Sequence, residues 1–566
     1  MKSFSQLFHE LPLALPTFSE IRKDNLVYVD KTRYLYHLVL TRQPQLLTRP
    51  RRFGKSTLVS TLEELFLHGV APYDGHDSYF KGLEIEKLWP QVPRNEGPFY
   101  VLHLDFSELI RSCHNAADFQ QKLNNKIVLF ATDAQLELKV TSDIQRDAFD
   151  LLLDVVPNGS LVLLVDEYDA PLTRFLGTDT EATSDAMLQV LRDFFVLVKT
   201  RASKFRFTFI TGTSRLSDAS MFTAGNSIAD ISQDPDFGDI CGITREELQR
   251  YFPDHLRYAA AQRLHLPMEQ VSAQQVEQLL DEMAQWYDGY CFDSDGATHV
   301  FSLWSVLCFF KKRTSTFNTY WFNGGGVPEI LRKSLLNRSW EERLGLLAGD
   351  SVQVDLDAFL SPSTFATMKD EVLLFQTGYL TLKAPYSDEA EDSEVILGVP
   401  NQEIKRAIAR MYWVDFFPDI TGFSKAFSAE LRASIKAQDA TSLQQCFNKL
   451  FHSIDYEHYP LTQESAVTSV LHIALALVLD VRVMVNLHES QGRADLVFDW
   501  DQTTVVFELK YADKLNQTSS LLKQAVAQIQ SRNYGDTLFK RPILWRLAMV
   551  FCAESRKLTE VQAVSE

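Results

Sequence analysis

Four apolar runs in the first 245 residues each end in polar or charged letters: "QLLTRP", "FYVLHLDFS", "LVLLVDEYDAP" and "FRFTFITGTSR". Helical stretches separate them. Continuous apolar strands of this kind are buried on both faces, so the pattern predicts an α/β fold with a parallel sheet covered by helices. From about 246 to 400 the pattern turns mainly helical, as in "TREELQRYF" and "SAQQVEQLLDEMAQWYDGY", while "DEVLLFQTGYLTLKAP" reads as a strand pair or small wing. From about 401 onward helices lead to "GRADLVFDWDQTTVVFELKYADK", two strands of a hairpin over residues 492–514, and a helix and a strand follow. The acidic "YSDEAEDSE" at 386–394 is the expected boundary loop, and no internal repeat interrupts the zones.

A chain of 566 residues is too long for one ordinary core, so two or three domains are expected. Hydrophobic residues make up 45% and charged residues 23%, a globular balance. The net charge of −18 argues against coating nucleic acid by bulk charge, though it leaves room for a local groove or a metal-assisted phosphate site. Six scattered cysteines without a C-x-x-C pair suggest neither a zinc site nor a disulfide framework. The start has no signal-peptide core, and "LHIALALVL" is too short to cross a bilayer, so a cytoplasmic protein with no membrane contact is expected.

The first candidate chemistry lies in "QLLTRPRRFGKSTLVSTLEELF", a strand, a loop and a helix opening at Gly54-Lys55-Ser56-Thr57. A helix start after a tight turn gathers free backbone N–H groups and a positive dipole end, which suits phosphates. Lys55 would reach the outer phosphates and the Ser56 hydroxyl would ligate Mg²⁺. The usual first glycine is Arg49, and Pro50, Arg51 and Arg52 fill a loop that is normally glycine-rich. Taken alone, G-K-S is also a plain basic helix start. Two further strand ends support the nucleotide reading. Asp166 and Glu167 stand where a metal-side acid and a water-polarising acid belong, and Thr211, Thr213, Ser214 and Arg215 suit contact with a γ-phosphate.

The second candidate is the hairpin. With Asp499–Gln502 as its turn, Asp495 lies opposite Val506 and shares a face with Glu508 and Lys510. The two acids are then diagonal neighbours, on the order of 7–8 Å apart at the backbone. Like charges so close call for a cation between them, which Mg²⁺ would supply, and Lys510 could stabilise a phosphorane-like transition state. An exposed strand end carrying charges to water is the plainer alternative. Gln524 and Gln528 lie one turn apart on the following helix, and Glu464 opens the helix "ESAVTSVLHIALALV" upstream, where an acid also complements the helix dipole.

The segments "PTFSEIRKDNLVYVDKTRYLYHLV", "LLTRPRRFGKSTLVSTL" and "LVDEYDAPL" resemble the bacterial AAA-ATPase-like family, whose loop also lacks the first glycine. The 455–540 region resembles the PD-(D/E)XK nuclease superfamily, in the form found behind that ATPase-like family. The resemblance implies a P-loop domain over 1–245, a helical lid and connector over 246–400, and a restriction-endonuclease-like domain over 401–566. It implies ATP held by Arg52, Gly54, Lys55, Ser56, Thr57, Asp166 and Thr213, with Ser56 and Asp166 on Mg²⁺ and Glu167 catalytic. It also implies a nuclease site with Glu464 as the helix acid, Asp495 as the central acid, Glu508 and Lys510 as E-x-K, and Gln528 with Tyr534 as the Q…Y pair. Asp495 and Glu508 would hold Mg²⁺ or Mn²⁺. Ala494 stands where the motif has proline.

The segments "WYDGYCFD", "YWFNGGGVPEIL" and "LFQTGYLTLKAP" also resemble the stretch between the two domains. The basic runs "FFKKR" and "KRPILWR" read as solvated faces. An ATP-regulated nuclease acting on nucleic acid, DNA before RNA, is the leading expectation, with homo-oligomerisation left open. The alternatives are a nucleotide-switched sensor or scaffold that binds without cleaving, and an ATPase remodeller with no nucleic-acid role.

Overall fold

The computed structural model describes all residues except 1–9, 14, 16, 96, 139–146, 175–180, 216–227, 313–314, 324–350, 361–367, 388–393, 417–419, 455, 457–460, 480, 482, 490–491, 533–540 and 566. The chain divides into two compact units, one built from residues up to 331 with 351–401, the other from 402 onward.

In the first unit, β1 (Gln45–Thr48), β2 (Tyr100–Asp105), β3 (Leu161–Asp166), β4 (Phe205–Gly212) and β5 (Ala229–Asp230) form one sheet in the order β2-β3-β4-β1-β5. Every pair in it is parallel. Each residue of β1, β3 and β4 is buried, as their unbroken apolar letters require, whereas β2 at the edge is only partly covered. The phosphate-loop strand β1 thus lies beside β4, and β3 lies beyond it. The carboxyl ends of these three strands bring together the loop at 49–54, the turn after β4 and Asp166, at the crevice where open α/β sheets bind ligands.

Helices Arg245–Tyr251, Pro253–Leu264, Ala273–Tyr287 and Leu303–Lys311 belong to this same unit. Capping boxes at Thr244 and Ser272 start two of them, and their buried faces meet through Leu248, Phe252, Leu280, Met283, Tyr287 and Phe310. Short strands β6 (Tyr290–Cys291) and β7 (His299–Val300) pair antiparallel. Three more, β8 (Val352–Asp355), β9 (Thr381–Leu382) and β10 (Glu394–Gly398), form a sheet in the order β8-β10-β9. The expected strand pair in "DEVLLFQTGYLTLKAP" is corrected here. Asp370–Gln376 is a helix with Asp370 and Glu371 in its first turn, closed by Gly378 at φ +86°, and only Thr381–Leu382 is a strand. Acids at a helix start and a left-handed glycine at its end outweighed the strand-like letters.

In the second unit β11 (Val483–Glu489), β12 (Gly492–Trp500), β13 (Thr503–Ala512), β14 (Ile543–Cys552) and β15 (Lys557–Val564) lie in sequence order. Only β13 and β14 run parallel. Helix Ala440–His452 covers one face, where Phe447 meets Phe507 and Phe451 meets Phe551 edge-on. Helix Thr518–Arg532 covers the other, burying Ala525 and Ile529 against Val497, Val506 and Ala548. No helix among the described residues is long and apolar enough to cross a membrane.

The hairpin register differs from the expected one by two residues. Trp500 pairs with Thr503 and Val497 with Val506, so the turn is Asp501–Gln502 rather than Asp499–Gln502. Asp501 takes φ +55°, a conformation that Asp tolerates and a tight two-residue turn requires. The pairing ends at Leu496 with Phe507, so Asp495 and Glu508, not Val506, are the next residues of their strands, and Asp495 meets β13 through the Leu509 N–H. Because the shift is an even number, both acids stay on one face.

Candidate functional site

The phosphate loop of the first unit is held by its side chains. Arg49, 1% exposed, turns away from the loop interior. Its guanidinium donates to the carbonyls of Thr48 at 2.9 Å and Phe237 at 2.9 Å and lies over the Phe292 ring. Phe53 packs edge-on against Tyr290 and Phe292 in the core. Gly54 adopts φ +102° and opens helix Lys55–His68 without a side-chain cap, which leaves the first-turn N–H groups for an anion.

Lys55 is buried and donates to the carbonyls of Arg49 at 2.8 Å and Pro50 at 3.1 Å. Burial holds its ammonium below the ordinary value, opposed by Asp166, Glu167 and Asp169. Arg52 does not point into the loop. Its guanidinium donates to the Trp321 carbonyl at 2.8 Å and lies over the Trp304 ring. Ser56 and Thr57 are half-buried in the first helical turn.

Asp166 at the end of β3 accepts from the Thr211 hydroxyl of β4 and from the Glu167 N–H at 3.0 Å. Glu167 follows at φ +52°, and its pKa is raised by burial, against the pull of Lys55. Sequence reasoning passed over Asp169. This buried acid accepts from the N–H groups of Thr213 at 3.1 Å and Ser214 at 2.8 Å, and so shapes the turn after β4 that carries Thr213. Arg215 pairs with Asp230 of β5. An apolar pocket opens beside Gly54 and Thr57, walled by Val27, Val29, Leu58, Ile240, Phe252 and Leu303. No sequence motif marks it, because its walls come from five separate stretches.

In the second unit the Glu508 face carries the candidate chemistry. Glu508 is fully buried; its Oε1 takes the Lys510 ammonium at 2.7 Å. Its Oε2 is buried with no hydrogen-bond partner among the described residues. Asp495, 8% exposed, accepts the Leu509 N–H at 2.7 Å, which fixes its carboxylate beside β13.

Burial, then Asp495, push the Glu508 carboxyl up to about 7, while the Lys510 hydrogen bond opposes them. The Lys510 ammonium is raised: burial works against its charge, but Glu508, Glu464 and Asp495 outweigh it. Glu464 therefore acts electrostatically on both residues. Tyr511 anchors that helix, donating from its hydroxyl to the Leu461 carbonyl at 3.1 Å, three residues before Glu464. Tyr511 went unnoticed in the sequence, though it sits next to Lys510 and faces the other side of the strand.

Gln528 is half-buried beside Ile529 on the helix over the Glu508 face, and Gln524 is exposed. Tyr534 lies outside the described residues. Among the described residues no group of three His, Cys, Asp or Glu side chains is arranged to hold a metal ion. The two carboxylates of Asp495 and Glu508 fit a divalent cation on one specific ground. A buried carboxylate oxygen without a donor costs free energy that a hard cation with its waters removes.

Residues 12–222 match the AAA-ATPase-like family, described as predicted AAA-ATPases. Residues 462–561 match the PD-(D/E)XK nuclease superfamily. A protein from Azotobacter chroococcum mcd 1, described as "Uncharacterized protein in vnfD 5'region", is 28% identical over 537 residues, 93% of each chain.

Proposed function

We propose, from a chain that carries an AAA-ATPase-like domain and a PD-(D/E)XK nuclease superfamily domain, an ATP-binding and ATP-hydrolysing protein that regulates a divalent-metal-dependent nuclease. The observation that carries the nuclease half is the partnerless Glu508 Oε2, buried beside Asp495 and under Lys510. Asp495 and Glu508 would hold Mg²⁺ or Mn²⁺, which supplies Lewis acidity and an activated water. Lys510 holds a positive charge where charge develops on a phosphodiester oxygen. The Leu509 N–H keeps the Asp495 carboxylate turned toward Glu508. Glu464 biases the local field toward cations, and Gln528 of the covering helix would supply a polar neighbour.

In the ATPase half, the uncapped start of helix Lys55–His68 would take the phosphates and the apolar pocket beside it the base. Lys55 would exchange two loop carbonyls for phosphate oxygens. Ser56 and Asp166 would hold Mg²⁺, and Glu167 would orient water. DNA is the preferred substrate of this reading. Charge distribution supports nucleic-acid contact at the second unit. Residues 402–566 hold 18 Lys and Arg against 19 acids, whereas residues 1–401 hold 38 against 55.

The test is a titration of Mg²⁺ and Mn²⁺ with mixed DNA and RNA substrates, with and without ATP. Metal-dependent cleavage by the full chain that disappears in Asp495→Ala supports the reading. Intact nucleic acid at every metal concentration, with ATP-dependent complex formation, would replace it by the non-cleaving scaffold.

A further inference from the structure

The loop R-P-R-R-F-G-K-S carries bulky side chains where phosphate loops carry glycines, yet it must still aim N–H groups inward. Trp321, 270 residues downstream and only 9% exposed, touches this loop twice. Its indole N–H donates to the Arg51 carbonyl at 3.2 Å, and its own carbonyl accepts the Arg52 guanidinium at 2.8 Å. Arg52 has φ +72°, which a non-glycine residue avoids unless it is held there, and the Trp304 ring under its guanidinium helps to hold it.

A third contact closes the clamp. A Cβ on Gly378 would stand 2.9 Å from the Pro50 Cβ and 3.5 Å from the Trp321 ring, so the segment after helix Asp370–Gln376 lies directly on the loop. Trp321 in turn packs edge-on against Tyr379.

A trans peptide is planar, with its C=O and N–H pointing in opposite directions. Holding the Arg51 carbonyl outward on Trp321 therefore turns the Arg52 N–H toward the loop interior. The carbonyls of Arg49 and Pro50 face Lys55 instead. If the 51–52 peptide flipped, a third carbonyl would face the phosphates and repel them.

We infer that Trp321 is a positioning residue for nucleotide phosphates, clamping the 51–52 peptide so that the Arg52 backbone N–H, rather than its guanidinium, faces the ligand. The inference rests on the nucleotide-binding reading above and deepens it. It also assigns to Trp321 and Gly378 the work of the missing glycine.

The experiment measures equilibrium binding of ATP, ADP and adenosine to the full-length chain by competition with a fluorescent adenine nucleotide. Trp321→Phe keeps an aromatic ring, smaller than the indole, and removes the donor; Gly378→Ala crowds Pro50 and leaves the indole intact. Each variant weakens ATP and ADP by about tenfold or more and leaves adenosine within twofold of wild type. A thermal melt records whether the variant is folded, and if Trp321→Phe does not fold, Gly378→Ala decides. Equal losses for ATP and adenosine would show general loss of packing and overturn the inference, as would wild-type ATP affinity in the folded variants. If wild type binds no nucleotide and Lys55→Ala changes nothing, the nucleotide reading falls first and this inference with it.

Discussion

Two buried carboxylates, one at each site, have opposite surroundings. Asp169 of the first unit is satisfied from within, each of its oxygens accepting one backbone N–H, from Thr213 and Ser214. Glu508 of the second unit is as deeply buried, yet it has one oxygen on Lys510 and the other on nothing described. Saturated acids hold a backbone turn in shape. An acid left half-satisfied, with its pKa lifted to about 7, is poised to exchange a proton for a cation. Burial is alike for the two acids; the number of donors is what differs.

The largest expected effect removes the acids proposed to hold the metal. Glu508→Ala and Asp495→Ala each lower Mg²⁺-dependent cleavage by roughly 10³-fold, read in a gel assay on variants that a thermal melt shows to be folded. Equal cleavage by these variants would erase the contrast between the two acid sets. Next, Asp169→Ala strips the buried Ser214 N–H and the half-buried Thr213 N–H of their charged acceptor. It should destabilise the first unit by about 3 kcal/mol in denaturant unfolding.

Glu508→Gln goes the other way. A carboxyl whose folded pKa lies above its unfolded value is disfavoured as its charged form, so its cost grows as pH rises from about 4.5 to about 7. Removing that charge should stabilise the metal-free protein by about 2 kcal/mol at pH 8 and abolish stabilisation by Mg²⁺, both seen in melting curves with EDTA or metal.

The smallest effect comes from His472, buried in the helix that Glu464 opens. Burial, then Lys405, lower its pKa from 6.5 to about 3. Folding therefore excludes a proton that the unfolded chain takes up below pH 6.5. Stability is intact above that pH and falls as pH drops toward 3, by about 1 kcal/mol at pH 5.5. His472→Leu should flatten this slope in melts of the second unit.

Much of both sites could be read from letters. "LVLLVDEYDAP" announced a buried strand ending in acids, and Asp166 does close β3. "TVVFELK" announced alternating faces, and Glu508 and Lys510 do meet on one of them. The hairpin register was missed because W-D-Q-T permits either a four- or a two-residue turn, and φ +55° at Asp501 is settled by the strands on either side. β11 was missed because its partner residues come from β12, not from its own sequence. Arg52 looked like a phosphate ligand by position, but a side chain's direction depends on what packs around it, here Trp304 and Trp321.

Composition and periodicity by themselves determined the parallel sheet, the helix that opens at Lys55, and the types of chemical group at each strand end, because these depend on local spacing and solubility. Tertiary structure alone decided which oxygen lacks a donor, which peptide a distant tryptophan holds, and which acid caps a turn. Those outcomes depend on contacts between residues far apart in the chain, where packing, and not local preference, selects the partner.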